Sequence, residues 1–193
     1  MAYWVNWSTA SGGGAAPRHT PPASTNNAIF DANSGFTALY KEVVIRSSVY
    51  CKDLNFSAVT QAVDCYSENS STSADTMSVY GELLLKSGMR FRATTPQQTY
   101  IDASTLSFFG SGDFDINGVQ IEWNFVVFGA GCDYDFVEDT YIKSKLTLNG
   151  TLRTNNYAVE VYGLSAASTA TLTLGSSTWD SHGSSLYTGG WMF

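Results

Sequence analysis

The chain has 193 residues, a net charge of −7, 14% charged residues and 44% hydrophobic residues. An apolar share at the globular average excludes wholesale disorder, and a charged share well below the usual quarter excludes long coiled coils and Ala/Glu/Lys-rich bundles. Ser, Thr, Asn and Gly together supply 72 residues, a mixture that favours β structure with many turns in a chain of single-domain length.

Residues 1–35 read as an extended N-terminal arm. Tyr3, Trp4 and Trp7 precede Ser11-Gly12-Gly13-Gly14-Ala15-Ala16-Pro17 and Thr20-Pro21-Pro22. A Gly/Pro stretch of this kind does not pair as a regular strand, so the aromatic residues are its anchors. From residue 36 to residue 193 the text reads as a single all-β domain of short alternating runs separated by turns. Val43-Val44-Ile45, Val49-Tyr50-Cys51 and Leu54-Asn55-Phe56 come first. A polar loop at Glu68–Asp75 separates them from the longer run Met77–Leu85, which stops at Ser87-Gly88. Leu106-Ser107-Phe108 ends at Gly110-Ser111-Gly112, and Asn117-Gly118 separates Phe114-Asp115-Ile116 from Val119–Trp123. Asn-Gly accepts the positive φ values of a tight turn, which predicts a hairpin or a corner there. Lys145–Leu148, Thr151–Arg153, Val159–Tyr162 and Thr169–Leu174 complete the series. The period is two residues throughout, which predicts an all-β chain with at most one short helix.

Two architectures fit this pattern. Runs such as Val49–Phe56, Val79–Leu85, Leu146–Leu152 and Leu172–Gly175 share a form, strand then small turn then strand. Some recur at about 25–30 residues, the range of solenoid rungs. A short β-solenoid of stacked rungs is one reading. A β-sandwich or jelly roll of antiparallel pairs is the other. The recurring Leu-x-Leu-x-Gly endings favour the solenoid, Asn117-Gly118 favours the antiparallel option locally, and residues 93–143 do not obey the repeat.

Ten Lys and Arg against 17 Asp and Glu leave too few cations on any one face to release phosphate counterions, so no nucleic-acid partner is expected. The nearest approach to a basic cluster is Lys86, Arg90 and Arg92, with Lys143 and Lys145 further on. Cys51, Cys65 and Cys132 are odd in number and irregular in spacing, which predicts buried free thiols in a reducing compartment. Residues 1–7 carry neither a basic nor an apolar signal region, no run reaches a membrane span, and the expectation is a chain made in a cytoplasm with no membrane partner. Asn6, Asn55, Asn69 and Asn149 begin Asn-x-Ser/Thr sequons that read as accidents of composition.

Tyr3-Trp4-Val5, Asn6-Trp7-Ser8, Ser11–Gly14, Pro22, Asn26–Gly35 and Val49–Leu54 form a pattern that resembles bacteriophage virion proteins. Similar text occurs in bacterial adhesin-like β-solenoids, where a Trp-rich arm precedes Phe-Asp-x-Asn-Ser-Gly and Leu-x-Leu-x-Gly rungs. Leu172–Asp180 looks like the end of one such rung. The match covers residues 3–56 above all, and the chain departs from the pattern by being short and irregular in its middle. The resemblance implies a structural or adhesion protein of a tailed phage, located in the virion and assembled in the host cytoplasm.

Chemistry is less legible. Asp113 with Asp115, and Asp133 with Asp135, stand two apart on one strand face, and paired carboxylates are what a glycoside hydrolase needs. Such a pair is more often a solvated face. Asp133, Asp135, Glu138 and Asp139 are also candidates for a Ca²⁺ cage, though they lack the EF-hand glycine. His19 and His182 have no triad partner or ligand pattern, and no nucleophile elbow, phosphate loop or zincin motif occurs. No catalytic residue, metal or cofactor is therefore assigned and no enzyme is expected. Trp4 and Trp7 near one end, and Trp191-Met192-Phe193 near the other, are apolar groups to be covered by the core or by a neighbour. Tyr3, Trp4, Trp7, Phe30, Trp191 and Phe193 are the candidate interface residues. The expectation is a capsid decoration (cement) protein that clamps the head shell, with the major capsid protein or other virion proteins as partners. It would form a homo-oligomer, for which a trimer suits either virion role. The alternative is a tail fibre or spike protein that recognises host glycan through the aromatic stretch Phe108–Phe136.

Overall fold

A computed structural model describes residues 21–37, 41–67, 75–93 and 104–182, and the backbone of Tyr187–Thr188. These residues form a β-solenoid of about six turns with no helix. Each turn contributes to three walls.

The first wall is a seven-stranded sheet: Ala28–Ile29, Leu54–Asn55, Leu83–Leu84, Ser111–Asp115, Asp133–Phe136, Thr151–Arg153 and Thr171–Thr173. The second wall stacks Glu42–Ile45, Asp64–Ser67, Arg90–Arg92, Ile121–Glu122, the first parts of Thr140–Leu148 and Val159–Ala166, and Trp179–Ser181. The third stacks Val49–Cys51, Thr76–Val79, Thr105–Phe108, Phe125–Phe128, the second parts of the same two long strands, and Tyr187–Thr188. In the long strand Thr140–Leu148 the register shifts between Ile142 and Lys145, where the second wall turns into the third.

Every described pairing is parallel, so the sandwich alternative, which needs antiparallel pairs, is absent among the described residues. Asn117 and Gly118 do adopt positive φ, 51° and 72°. They form a corner and not a hairpin: the strands on either side of them belong to different walls. The middle of the chain obeys the stack after all. Register partners on successive turns lie 22 to 31 residues apart in the first half and 18 to 22 apart in the second. The shorter repeat begins in the stretch that looked irregular.

Inward side chains stack in register. Leu54, Leu83, Phe114 and Phe136 form a column on the first wall, and Cys65, Phe91, Ile121, Ile142 and Val161 form one on the second. Val79, Phe108, Phe128 and Leu148 form one on the third. All are buried. The Phe108 and Phe128 rings lie stacked with centroids 4.8 Å apart, which is the strand spacing itself. Burying one such ring stabilises the fold by roughly 1.5–3 kcal/mol.

Candidate functional site

The residues singled out from the sequence fall into three groups. The acidic ones are mostly joints between turns. Arg153 Nη1 lies 2.7 Å from Asp133 Oδ1 and 3.1 Å from Asp135 Oδ2, and Asn155 Nδ2 donates to the other oxygen of Asp135 at 2.9 Å. Glu138 accepts the backbone N–H groups of both Asn117 and Gly118, and Asp139 accepts the N–H of Ala158 at 2.8 Å. The four carboxylates that suggested a Ca²⁺ cage are therefore spread over three joints, at Arg153, at the Asn117-Gly118 corner and at Ala158. Among the described residues no group of three or more His, Cys, Asp or Glu is arranged to hold a metal. Asp113 stands beside Asp135 in register on the outer face, and Asp115 lies against Glu138. Burial, and then the neighbouring Asp115, push the Glu138 carboxyl above its ordinary pKa against the pull of the two N–H donors.

Two of the basic residues, Arg92 and Lys143, are also engaged. Arg92 makes a two-pronged ion pair with Asp64 and lies 5.6 Å over the Tyr66 ring. Lys143 Nζ bonds Glu122 at 2.6 Å. All three thiols are buried and unpaired. Desolvation, with Asp53 beside it, pushes the Cys51 thiol up to about 12, and Cys65 is raised still further by its complete burial. These thiols are packing groups, not nucleophiles.

The aromatic stretch Phe108–Phe136 does not face solvent as a sugar platform would. Phe108, Phe114, Trp123, Phe128, Tyr134 and Phe136 are all in the interior, because they occupy the inward positions of successive strands. Tyr134 donates its hydroxyl to the Gly81 carbonyl at 2.7 Å. Only Phe109 and Phe125 of that stretch are exposed. Of the candidate interface residues, Phe30 is described: its ring stacks on Phe56 at 4.3 Å and 4° and covers the first turn of the core. Tyr3, Trp4, Trp7, Trp191 and Phe193 lie outside the described residues, as does His19.

Charge is distributed unequally over the outer surfaces. The first wall carries Asp113, Asp115, Asp133, Asp135 and Arg153. The second carries Glu42, Asp64, Arg90, Arg92 and Glu122, then Tyr141, Lys143, Glu160, Tyr162, Asp180 and His182. On the third wall the columns that alternate with the core are Tyr50, Ser78, Ser107, Val127, Thr147 and Ser165, and Thr76, Thr105, Phe125, Lys145 and Gly163, of which Ser78 and Ser107 are buried while Tyr50 and Phe125 are exposed. Lys145 is the one charged residue in those two columns. Sequence reasoning missed this partition because it emerges only when residues some 20 to 30 positions apart are brought into register.

On the second wall the last turns form an open groove of about 220 Å³ lined by Asp139, Thr140, Tyr141, Ala158, Val159, Glu160, Thr178 and Asp180. His182 Nε2 lies 2.8 Å from Glu160 Oε1, and its ring is 6.1 Å from that of Tyr162. Comparison of the chain with protein-family models, with curated proteins and with solved structures finds no match.

Proposed function

We propose that the chain is a non-enzymatic structural protein of a phage virion, a capsid decoration (cement) protein that binds and stabilises the head shell. The observation that carries this reading is the third wall. Its outward columns are almost free of charge and include the exposed rings of Tyr50 and Phe125. Depletion of charge with enrichment of aromatic residues marks the centre of a protein interface. A continuous parallel hydrogen-bond ladder holds that wall in one shape, so little ordering entropy is lost on docking. The virion itself comes from the resemblance in residues 3–56. The major capsid protein or another virion protein is the partner, and copies of the chain associate on the particle.

Purified protein incubated with phage heads lacking it tests the reading. Retention on heads during sedimentation, with copies on the order of hundreds per particle as shell symmetry dictates, supports it. Retention only on tails, in far fewer copies, replaces it with the fibre or spike reading.

That second reading, recognition of host surface glycan, has one observation in its favour. Tyr162 is 48% exposed on the wall that bears Tyr141, Glu160, Asp180 and His182, a combination of rings and acceptors suited to hydroxyl-rich ligands.

A further inference from the structure

We propose that the Asn117-Gly118 corner is a covalent modification site, where asparagine converts to aspartate and isoaspartate, and that the Glu138 carboxylate of the next turn restrains the conversion. Both residues are exposed, at the tip of a turn closed by the Val119 N–H on the Ile116 carbonyl at 2.9 Å. A Cβ built on Gly118 would meet nothing within 4 Å, so there is room for a cyclic imide and for the water that opens it. The Gly118 nitrogen releases its proton and bonds to the carboxamide carbon of Asn117. The amide nitrogen of Asn117 takes up a proton and leaves as ammonia. Water then adds to one of the two carbonyls of the imide and breaks its C–N bond. One opening gives aspartate. The other gives isoaspartate, which routes the main chain through the former side chain and lengthens it by one atom. Glycine is the residue least able to hinder this ring closure, because it has no Cβ and the widest choice of φ and ψ.

Glu138 opposes both things that closure asks of the Gly118 nitrogen, loss of a proton and rotation toward the side chain. One carboxylate oxygen accepts the Gly118 N–H at 3.1 Å and the other accepts the Asn117 N–H. A negative charge beside an N–H disfavours the anion that loss of its proton would leave. Charge-assisted hydrogen bonds to the peptide groups on both sides of Asn117 also fix their orientation. The chain holds its own comparison. Asn149-Gly150 is the same dipeptide, at the corner between the third and first walls, but Gly150 is buried and a Cβ there would lie 2.6 Å from Cys132 Sγ. The Asn149 N–H donates to the Phe128 carbonyl at 2.8 Å, and the Gly150 carbonyl accepts the Thr171 N–H at 2.9 Å. Packing and the ladder restrain that site, whereas a side chain from the next turn restrains Asn117. Conversion at Asn117 places a new carboxylate against Glu138, which already stands beside Asp115, and so weakens the joint between two turns.

The test incubates the full chain in mildly alkaline buffer and follows each asparagine by peptide mapping with mass spectrometry, which separates the aspartate and isoaspartate products. Glu138→Ala is expected to speed conversion of Asn117 about tenfold, the effect of a lost charge-assisted hydrogen bond on a rate, and to leave Asn149 at the wild-type rate. Glu138→Gln keeps the shape and one accepting oxygen. It is expected to fall between the two, and it carries the test if Glu138→Ala does not fold. In urea, Asn117 and Asn149 convert at similar rates in all three proteins. A rate at Asn117 equal to or below wild type in the folded variants overturns the restraint. Equal acceleration of Asn117 and Asn149 overturns it too, because that pattern reports global unfolding. An Asn117 that stays intact in the folded variants while it converts in urea overturns the modification site.

Discussion

The Glu138 carboxylate accepts the backbone N–H of Gly118 at 3.1 Å from one turn further along the solenoid, and its other oxygen takes the N–H of Asn117. A corner with two consecutive positive φ angles leaves its N–H groups without a strand to pair with. The carboxylate satisfies both. Asp53 does the same for the Glu82 N–H at 3.0 Å, and Asn156 for the Ser176 N–H at 2.8 Å. Acidic and amide side chains are the pins between turns, which accounts for their position next to strand ends. Glu138→Ala is expected to lower unfolding free energy by about 0.5–1.5 kcal/mol, the net loss when exposed corner donors exchange the carboxylate for water. Urea denaturation followed by circular dichroism checks it, and an unchanged midpoint removes the pin from the account.

Glycines at the corner between the third and first walls give a second prediction. A Cβ on Gly110 would overlap the Tyr80 carbonyl, and one on Gly150 would lie 2.6 Å from Cys132 Sγ and 2.7 Å from the Gly129 carbonyl. Gly35, by contrast, has open space around it and only a positive φ of 76°. Gly150→Ala should therefore cost more than about 3 kcal/mol, whereas Gly35→Ala should cost about 1–2 kcal/mol from conformation alone. Thermal unfolding of the two variants side by side measures the difference.

The same glycines explain how much of the fold was legible. Strands Val49–Cys51 and Thr105–Phe108 stand out because alternation and bounding turns are both local. The run Met77–Leu85 holds a strand, small turn and strand, and it divides into Thr76–Val79 and Leu83–Leu84 around Gly81. What sets that break is the approach of Asp53 to Gly81 from the previous turn, a contact 28 positions away in sequence. Asp64–Ser67 escapes notice because it opens on an acidic residue whose ion-pair partner, Arg92, belongs to the next turn. The acidic pairs and the aromatic stretch were legible as residues and misleading as chemistry. Whether a carboxylate faces a ligand or an arginine, and whether a ring points in or out, depends on register between turns.

Arg153 neutralises two carboxylates, Asp133 and Asp135, with Asp113 the next residue in the same stack. Arg153→Gln leaves three like charges on neighbouring strands, and like charges directly opposite are destabilising. The pair is half exposed, so the loss should be modest and greatest at low salt. Raising the salt to about 1 M, where the Debye length is near 3 Å, should remove most of the difference from wild type. A loss that ignores salt would assign Arg153 a packing role instead.

The buried thiols set an alkaline limit. The folded Cys51 thiol titrates at about 12 against an ordinary value of 9.0. Above 9 the unfolded chain has released that proton while the folded chain retains it, so stability falls as pH rises through this window. The slope is about 1.4 kcal/mol per pH unit for each such thiol. Cys51→Ala should show a shallower fall between pH 9 and pH 11 in guanidinium titrations. Iodoacetamide at pH 8 should leave Cys51, Cys65 and Cys132 unmodified in the native protein and alkylate all three in urea.

Cryo-electron microscopy of the virion tests the functional claim most directly, because a solenoid of about six turns with three walls has a recognisable shape at moderate resolution. The reading proposed here predicts that density on the outside of the head, repeated with the symmetry of the shell and seated through the wall that bears Tyr50 and Phe125. Particles whose heads lack such density, or a solenoid found only at the tail tip, would contradict it.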